Sequence, residues 1–155
     1  MQLLLKLNDI PRLTSLSGNI DVDKIAPHVF TAQLNNVKRI LGTNLYNKIL
    51  SDYTNDALTD EYLTIYNDYV LMMLVYYSAY YFIGVGSYQI VNNGIVKTTA
   101  EGGTSIDMKE ADILANKYKG MAGTYEVGLN EYLSTISIPE YTQDDKAKTK
   151  LKIWY

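Results

Sequence analysis

Chemistry at neutral pH usually starts from a histidine, a thiol or a set of convergent acids, and this sequence is poor in all three. Its one histidine is His28, beside Pro27, and it has no cysteine. A single imidazole builds a metal site only with carboxylate help, and Asp21 and Asp23 are too generic a pair to supply it. A solvated or capping histidine is the simpler reading. Gly84-Val85-Gly86 resembles the start of a dinucleotide loop, but Gln89 stands where the third glycine belongs and a helical pattern precedes it. There is no Gly-Lys-Ser/Thr phosphate loop and no nucleophile elbow. The acids form two groups: Asp52, Asp56, Asp60, Glu61 and Asp68, then Asp107, Glu110 and Asp112. Both groups fall at helix starts, where negative charge complements the exposed N–H groups. Nothing in their spacing pairs two carboxylates. The sequence therefore points away from an enzyme, and no catalytic residue, metal or cofactor is expected; a small hydrolase using dispersed carboxylates is the alternative of that class.

These residues must be positioned by the elements around residues 58–83, LTDEYLTIYNDYVLMMLVYYSAYYFI. Thr59 suits an N-cap, with Asp60 and Glu61 in the first turn and Leu58 and Leu63 at the staple positions. No charge follows Asp68 until Lys97. From Tyr69 to Ile83 the helix is apolar on nearly every face and should be buried on nearly every face, as the centre of a bundle. The run also exceeds the roughly 20 residues that span a bilayer. However, Tyr69, Tyr76, Tyr77, Tyr80, Tyr81 and Tyr88 are spread through it, whereas membrane tyrosines gather at the interfaces, and no Lys/Arg flank orients it. A core helix is expected, and no membrane partner.

Composition bounds the rest. The 155 residues suffice for one core and one domain. A net charge of −3 and a pI near 5.1 argue against a protein that grips a nucleic-acid backbone. MQLLLKLNDI carries Lys6 and Asp9 and no cleavage-like site, so it does not read as a signal peptide. Fifteen tyrosines against two phenylalanines and one tryptophan are unusual. Either they are interface residues, for which tyrosine is favoured, or they reflect a bias that fills ordinary core positions.

Taken in order, residues 1–18 read as an arm in which Leu3, Leu5 and Leu7 alternate with Gln2, Leu4 and Lys6. Pro11 should break it, and Leu13 and Leu16 should dock it. Pro27 suits a helix first turn, and Phe30, Leu34, Val37 and Leu41 form an apolar face. Gly42 should stop that helix, and Thr43 or Asn44 should cap the next, which carries Leu45, Tyr46, Ile49, Leu50 and Tyr53. The central helix loses definition at Gly84. Asn93-Gly94, between Ile90-Val91 and Ile95-Val96, signals a hairpin turn. The projecting hairpin and loop, 92–106, is the first expected contact surface: Asn92, Asn93, Gly94, Ile95, Val96 and Lys97. Asp107 with Glu110 has capping-box spacing for a last long helix. Its seam should be Ala111, Leu114, Tyr118, Met121, Tyr125, Gly128 and Tyr132. Gly120, Gly123 and Gly128 weaken that helix and could admit a close neighbour. The tail, 139–155, ends in alternating Leu151, Ile153 and Tyr155 with Trp154 between. These four residues are the second expected contact surface, as a strand or hook on a neighbour, or else a frayed end.

The stretch 17–50, SGNIDVDKIAPHVFTAQLNNVKRILGTNLYNKIL, resembles the N-terminal part of head–tail connector, or neck-ring, proteins of tailed bacteriophages. The likeness is to those of crAss-like and related phages of Bacteroidota hosts. It rests on Asn19, Asp21, Lys24 and Pro27, on Ala32-Gln33, and on Leu41, Gly42, Leu45 and Tyr46 with Ile49 in place of leucine. The order continues through a long aromatic helix, a hairpin at Asn92, Gly94 and Ile95, and a last helix closing on Tyr132-Leu133 and Pro139-Glu140-Tyr141. The glycines of that helix depart from the pattern and leave its packing against a neighbour open. The resemblance implies a mainly α, single-domain bundle around a long central helix, with a projecting hairpin and extended termini. It also implies a subunit of a ring, usually twelve-fold, at the head–tail junction of the virion, assembled in the host cytoplasm. Its partners would be further copies of itself, the portal protein, adjacent neck or tail proteins, and DNA passing without sequence-specific binding. The alternative is another tail component or an assembly module with the same helical fold.

Overall fold

The computed structural model describes residues 2–16, 21–86, 88–91, 94–97 and 108–142. The fold is mainly α, as expected. It runs α1 (Asp9–Leu13), α2 (Val22–Ala32), a wider π-helical stretch (Gln33–Lys38), α3 (Arg39–Thr54), α4 (Asp60–Thr64), a second π-helical stretch (Ile65–Val70), α5 (Leu71–Gly86), β1 (Tyr88–Val91), β2 (Gly94–Lys97) and α6 (Met108–Thr135).

From α4 through α5 the chain forms the expected central rod, extending to Gly86 past the glycine where the sequence pattern fades. Met73, Leu74, Val75, Ser78 and Ala79 are fully buried, because α2 packs on one side of the rod and α6 on the other. Residues Asp60–Val85 are long and apolar enough to cross a membrane by length and composition, but here the surrounding helices cover much of that surface. Each large apolar side chain so buried contributes roughly 1.5–3 kcal/mol. The start of the rod departs from expectation: Thr59 occupies the cap position without a side-chain cap bond, and Asp60 enters at φ 47°.

α5 and α6 run antiparallel. Tyr69 stacks on Tyr132, Tyr76 meets Tyr118 and Tyr125, and the Lys119 ammonium sits over Tyr80. The expected α6 seam is rotated by about one position. Its buried line is Ala115, Tyr118, Ala122, Leu129 and Leu133, while Met121 is exposed. Alanines stand on the contact line, where small side chains let helix axes approach, and the tyrosines flank it. Gly128 belongs to this contact: a Cβ there would meet Tyr69 Cε1 at 3.1 Å.

In the first helical pair Val37, Ile40 and Leu41 of the expected face are buried, but the inward line is widened and shifted the other way, toward the preceding position. Ile25, Val29, Ala32, Gln33, Asn36, Val37, Ile40 and Leu41 face inward, whereas Leu34 is 37% exposed and Phe30 is half-buried. Pro27 does not occupy the first turn. α2 begins at Val22, capped by Asp21, whose carboxylate accepts from the Asp23 N–H at 3.1 Å, so Pro27 lies inside the helix. Gly42 does stop the helix: at φ 73° and ψ 170° it breaks α3 near its start.

The arm carries a short helix, α1, and packs into the core. Leu4 and Leu5 are both buried, so the alternation of Leu3, Leu5 and Leu7 is not what docks it. Pro11 lies within α1 instead of ending the segment, in a first turn where its missing N–H is tolerated. Gln33, with no exposed surface, holds the arm through its side-chain amide. Its Oε1 accepts from the Leu4 N–H at 2.8 Å, and its Nε2 donates to the Gln2 carbonyl at 3.0 Å and the Tyr46 hydroxyl at 2.7 Å. The Tyr66 hydroxyl donates to the Leu4 carbonyl at 2.8 Å. Beyond α6, Ile138 and Tyr141 return to the core, and Tyr62 donates to Glu140 Oε2 at 2.6 Å.

Candidate functional site

Every surface that could meet another molecule is built on this frame. The first is the outer face of α6. Ile113, Gly120 and Val127 recur at seven-residue spacing, which keeps them nearly in line along a helix. Ile113 is 58% and Val127 57% exposed. A Cβ built on Gly120 or Gly123 would meet nothing within 4 Å. The face thus sets two exposed apolar side chains among exposed Asn116, Lys117 and Thr124, is low in relief at the glycines, and is uncovered by the described residues.

Two grooves flank the arm. One, of about 570 Å³, lies between the end of α1 with the residues that follow it and the α5–α6 pair, with Arg12, Leu13, Tyr76, Leu114, Lys117 and Met121 in its wall. There the Ser15 N–H donates to the Tyr118 hydroxyl at 2.9 Å. The other, of about 540 Å³, lies between the arm and the start of the central rod. Leu3, Tyr53, Leu58, Leu63 and Tyr66 give it an apolar floor, and Lys6 and Asp56 stand at its edge. The staple residues Leu58 and Leu63 therefore line a groove, and Leu63 is 40% exposed.

Several polar groups inside the bundle are engaged with one another. Glu126 accepts from Arg39 Nη2 at 2.5 Å through one oxygen and from the Tyr77 hydroxyl at 2.6 Å through the other. Burial, reinforced by the bond to Glu126, pushes the Tyr77 hydroxyl's pKa up. Tyr81 donates to Asn36 Oδ1 at 3.2 Å. Burial is the main cause that pushes the Tyr66 hydroxyl up strongly, and the neighbouring Tyr53, its ring 5.0 Å away, adds to the shift. These contacts cross-link α3, α5 and α6 and supply no free nucleophile or base.

The acids and the histidine fall into structural roles. Asp52 pairs with Lys48 at 2.7 Å, and Asp9 with Arg12 at 2.8 Å. Asp60, Glu61 and Asp68 are exposed around the rod's start. His28 meets the edge of Phe82 at 5.7 Å, and partial burial lowers its pKa, so its ring is neutral at pH 7. Among the described residues no three His, Asp or Glu side chains converge.

The expected hairpin forms, but one residue earlier than the sequence signal. β1 pairs antiparallel with β2 in the register Tyr88 with Lys97, Gln89 with Val96, Ile90 with Ile95 and Val91 with Gly94. Gly94 is therefore a strand residue paired with Val91, not a central turn residue. Asn92 and Asn93, which connect the strands, lie outside the described residues, as do 98–106 of the expected loop and Asp107 of the expected capping box. Leu151, Ile153, Trp154 and Tyr155 also lie outside them. The hairpin sits on the connection between the C-terminal end of α5 and the start of α6, whereas the chain after α6 leaves at the opposite end of the pair.

Sequence reasoning missed Gln33 and Glu126 as organising residues. A glutamine at an inward position of an otherwise apolar helix was the available signal for the first. For Glu126 the spacing to Ala122 and Leu129 on the buried line was the signal.

A family described as one of unknown function, DUF6712, matches residues 37–150. No curated protein and no solved structure matches the chain.

Proposed function

The chain belongs to the DUF6712 family, and we propose that it is a virion structural protein: one subunit of a head–tail connector, or neck, ring that joins the portal to the tail and extends the DNA channel. Its mechanism is assembly, with no cofactor, no membrane and no bond made or broken.

The observation that carries this reading is the layout of the α5–α6 pair. The hairpin lies on the connection at one end, the chain departs at the other, and the flank between them, uncovered by the described residues, exposes Ile113 and Val127. A ring subunit needs those three surfaces: one for the ring above, one for the ring below, and one for its lateral neighbours. The resemblance of the 17–50 stretch and of the motif order beyond it to neck-ring proteins supports the same reading, with a twelve-fold ring as the expected closure. Residues 1–145 carry seventeen acids against ten lysines and arginines. A channel wall with that balance repels phosphate and lets DNA pass without sticking.

Electron microscopy of the full-length protein mixed with the portal of the same phage tests the proposal. A ring added beneath the portal, lost when Ile113 and Val127 are both changed to glutamate or when residues 92–103 are deleted, is the expected result. Failure to bind either bare portal or portal carrying its first ring would overturn it in favour of a tail component or assembly module.

A further inference from the structure

The groove between the arm and the start of the central rod has an apolar floor of Leu3, Leu58, Leu63, Tyr53 and Tyr66. Its surroundings are acidic. Asp56 is on its wall, and exposed Asp60, Glu61 and Asp68 lie on the same stretch of chain, against which the wall sets one cation among the described residues, Lys6. Lys48 is held by Asp52. An occupant should therefore present apolar side chains on one side and positive charge on the other.

One segment of this chain has that form. Residues 146–155, KAKTKLKIWY, contain four lysines and no acid. Leu151, Ile153 and Tyr155 alternate with Lys150, Lys152 and Trp154, and in an extended segment such alternation puts the two sets on opposite sides. Near its end the described chain touches the helix that walls the groove. Glu140 is bonded to Tyr62, whose sequence neighbour Leu63 lines the groove, and Tyr141 is buried next to it in sequence. From Thr142 to Leu151, nine residues at about 3.3 Å each reach up to roughly 30 Å, ample for the return.

We propose that the chain's own C-terminal segment, Lys150 to Tyr155, docks in this groove. Leu151, Ile153 and Tyr155 cover the apolar floor, and Lys150 and Lys152 face the acids at the rim. The segment thereby closes a gap left between the arm and the rod. A tethered segment is at an effective concentration of order mM, so a modest intrinsic affinity is enough to fill the site. The inference does not depend on the ring proposal.

Trp154, the only tryptophan in the chain, makes the test direct. Steady-state fluorescence anisotropy of Trp154 in the full-length protein is compared with that of a free peptide of residues 146–155, because docking immobilises the segment whichever side the indole occupies. The expected result is at least threefold higher anisotropy in the protein, independent of protein concentration and lowered at about 1 M salt, where the screening length is ~3 Å. Leu63→Glu, on the groove wall, and Lys150→Glu with Lys152→Glu, in the segment, should each bring the anisotropy down toward that of the peptide with far-UV circular dichroism unchanged. If Leu63→Glu disturbs the fold, the double lysine variant decides, since it leaves the described body intact. Peptide-like anisotropy in the wild type, or high anisotropy that survives the double lysine variant, overturns the proposal. So does high anisotropy that appears only at concentrations where light scattering detects dimers, because the occupant would then be a second copy's segment.

Discussion

Replacing Gln33 should loosen the arm from the body, and the size of the effect follows from its three hydrogen bonds. In Gln33→Ala the Leu4 N–H, inside the core, loses its acceptor at a cost of about 2 kcal/mol. The Gln2 carbonyl and the Tyr46 hydroxyl lose a donor, but exposed Gln2 recovers water, so these add about 1 kcal/mol together. The void left by the side chain adds about 1 kcal/mol. The total is about 4 kcal/mol, a large part of the 5–15 kcal/mol typical of a domain, and lowers the melting temperature by roughly 10 °C. Gln33→Met fills the void and keeps the hydrogen-bond loss, so it should cost about 3 kcal/mol. Gln33→Glu adds a pH signature. Burial would raise the folded-state pKa of the introduced carboxyl group above its unfolded value near 4.3. Its contribution is then fully present below that pH and lost as pH rises through the folded pKa, so this variant should approach wild type near pH 4 and fall furthest behind at pH 7. Urea unfolding and hydrogen exchange at the Leu4 amide report the two consequences. Unfolding midpoints within the error of wild type, or an unchanged Leu4 protection factor in Gln33→Met, would refute the clamp.

Three other outcomes follow from single positions. Gly42→Ala forces an alanine into φ 73° and ψ 170°, a region open essentially to glycine, and should cost about 2 kcal/mol in urea unfolding. Gly128→Ala and Gly120→Ala should differ in sign: the first crowds Tyr69 and lowers the melting temperature, whereas the second meets open space and gains up to about 1 kcal/mol of helix propensity. Alkaline pH should destabilise the protein in part through Tyr62. The bond to Glu140 first, then burial and the nearby acids, pushes its pKa up to about 12. The folded state holds that proton more tightly than the unfolded chain, so the contribution is present below about pH 10 and lost between there and about pH 12. Tyr62→Phe should flatten the urea midpoint across that window, with the remaining slope carried by groups such as Tyr66 and Tyr77.

The helices, the central position of the rod, the break at Gly42 and the hairpin were legible because each has a local cause: an uncharged apolar run, a backbone angle, a turn signal. The faces were not. In α2 and in α6 the large apolar residues suggest one stripe, and the inward line sits about one residue away, on Ala32, Gln33, Asn36, Ala115 and Ala122. Close axes need small residues at the contact, and long side chains then fill the flanks, so a count of bulky residues marks the edge of an interface and not its centre. The hairpin slipped for a related reason. Asn93-Gly94 is the stronger turn signal, but pairing Val91 with Gly94 brings Ile90 opposite Ile95. For the candidate surfaces the sequence marked the hairpin and the tail as segments. It did not mark the α6 flank, because an exposed isoleucine and an exposed valine fourteen positions apart have no local signature.

The clamp on the arm also orders the folding of the chain in time. Leu4 and Leu5 are synthesised early, yet Gln33, Tyr46 and Tyr66 must follow before their backbone groups are satisfied, and Leu133, Ile138 and Tyr141 later still before the core is closed. The early leucines have no permanent partners until late in translation. Long-range closure of this kind is slow relative to helix formation, because the loop entropy is lost before the contacts are gained. Stalling synthesis before residue 66 should therefore leave the nascent arm sensitive to protease in a way that the released subunit is not.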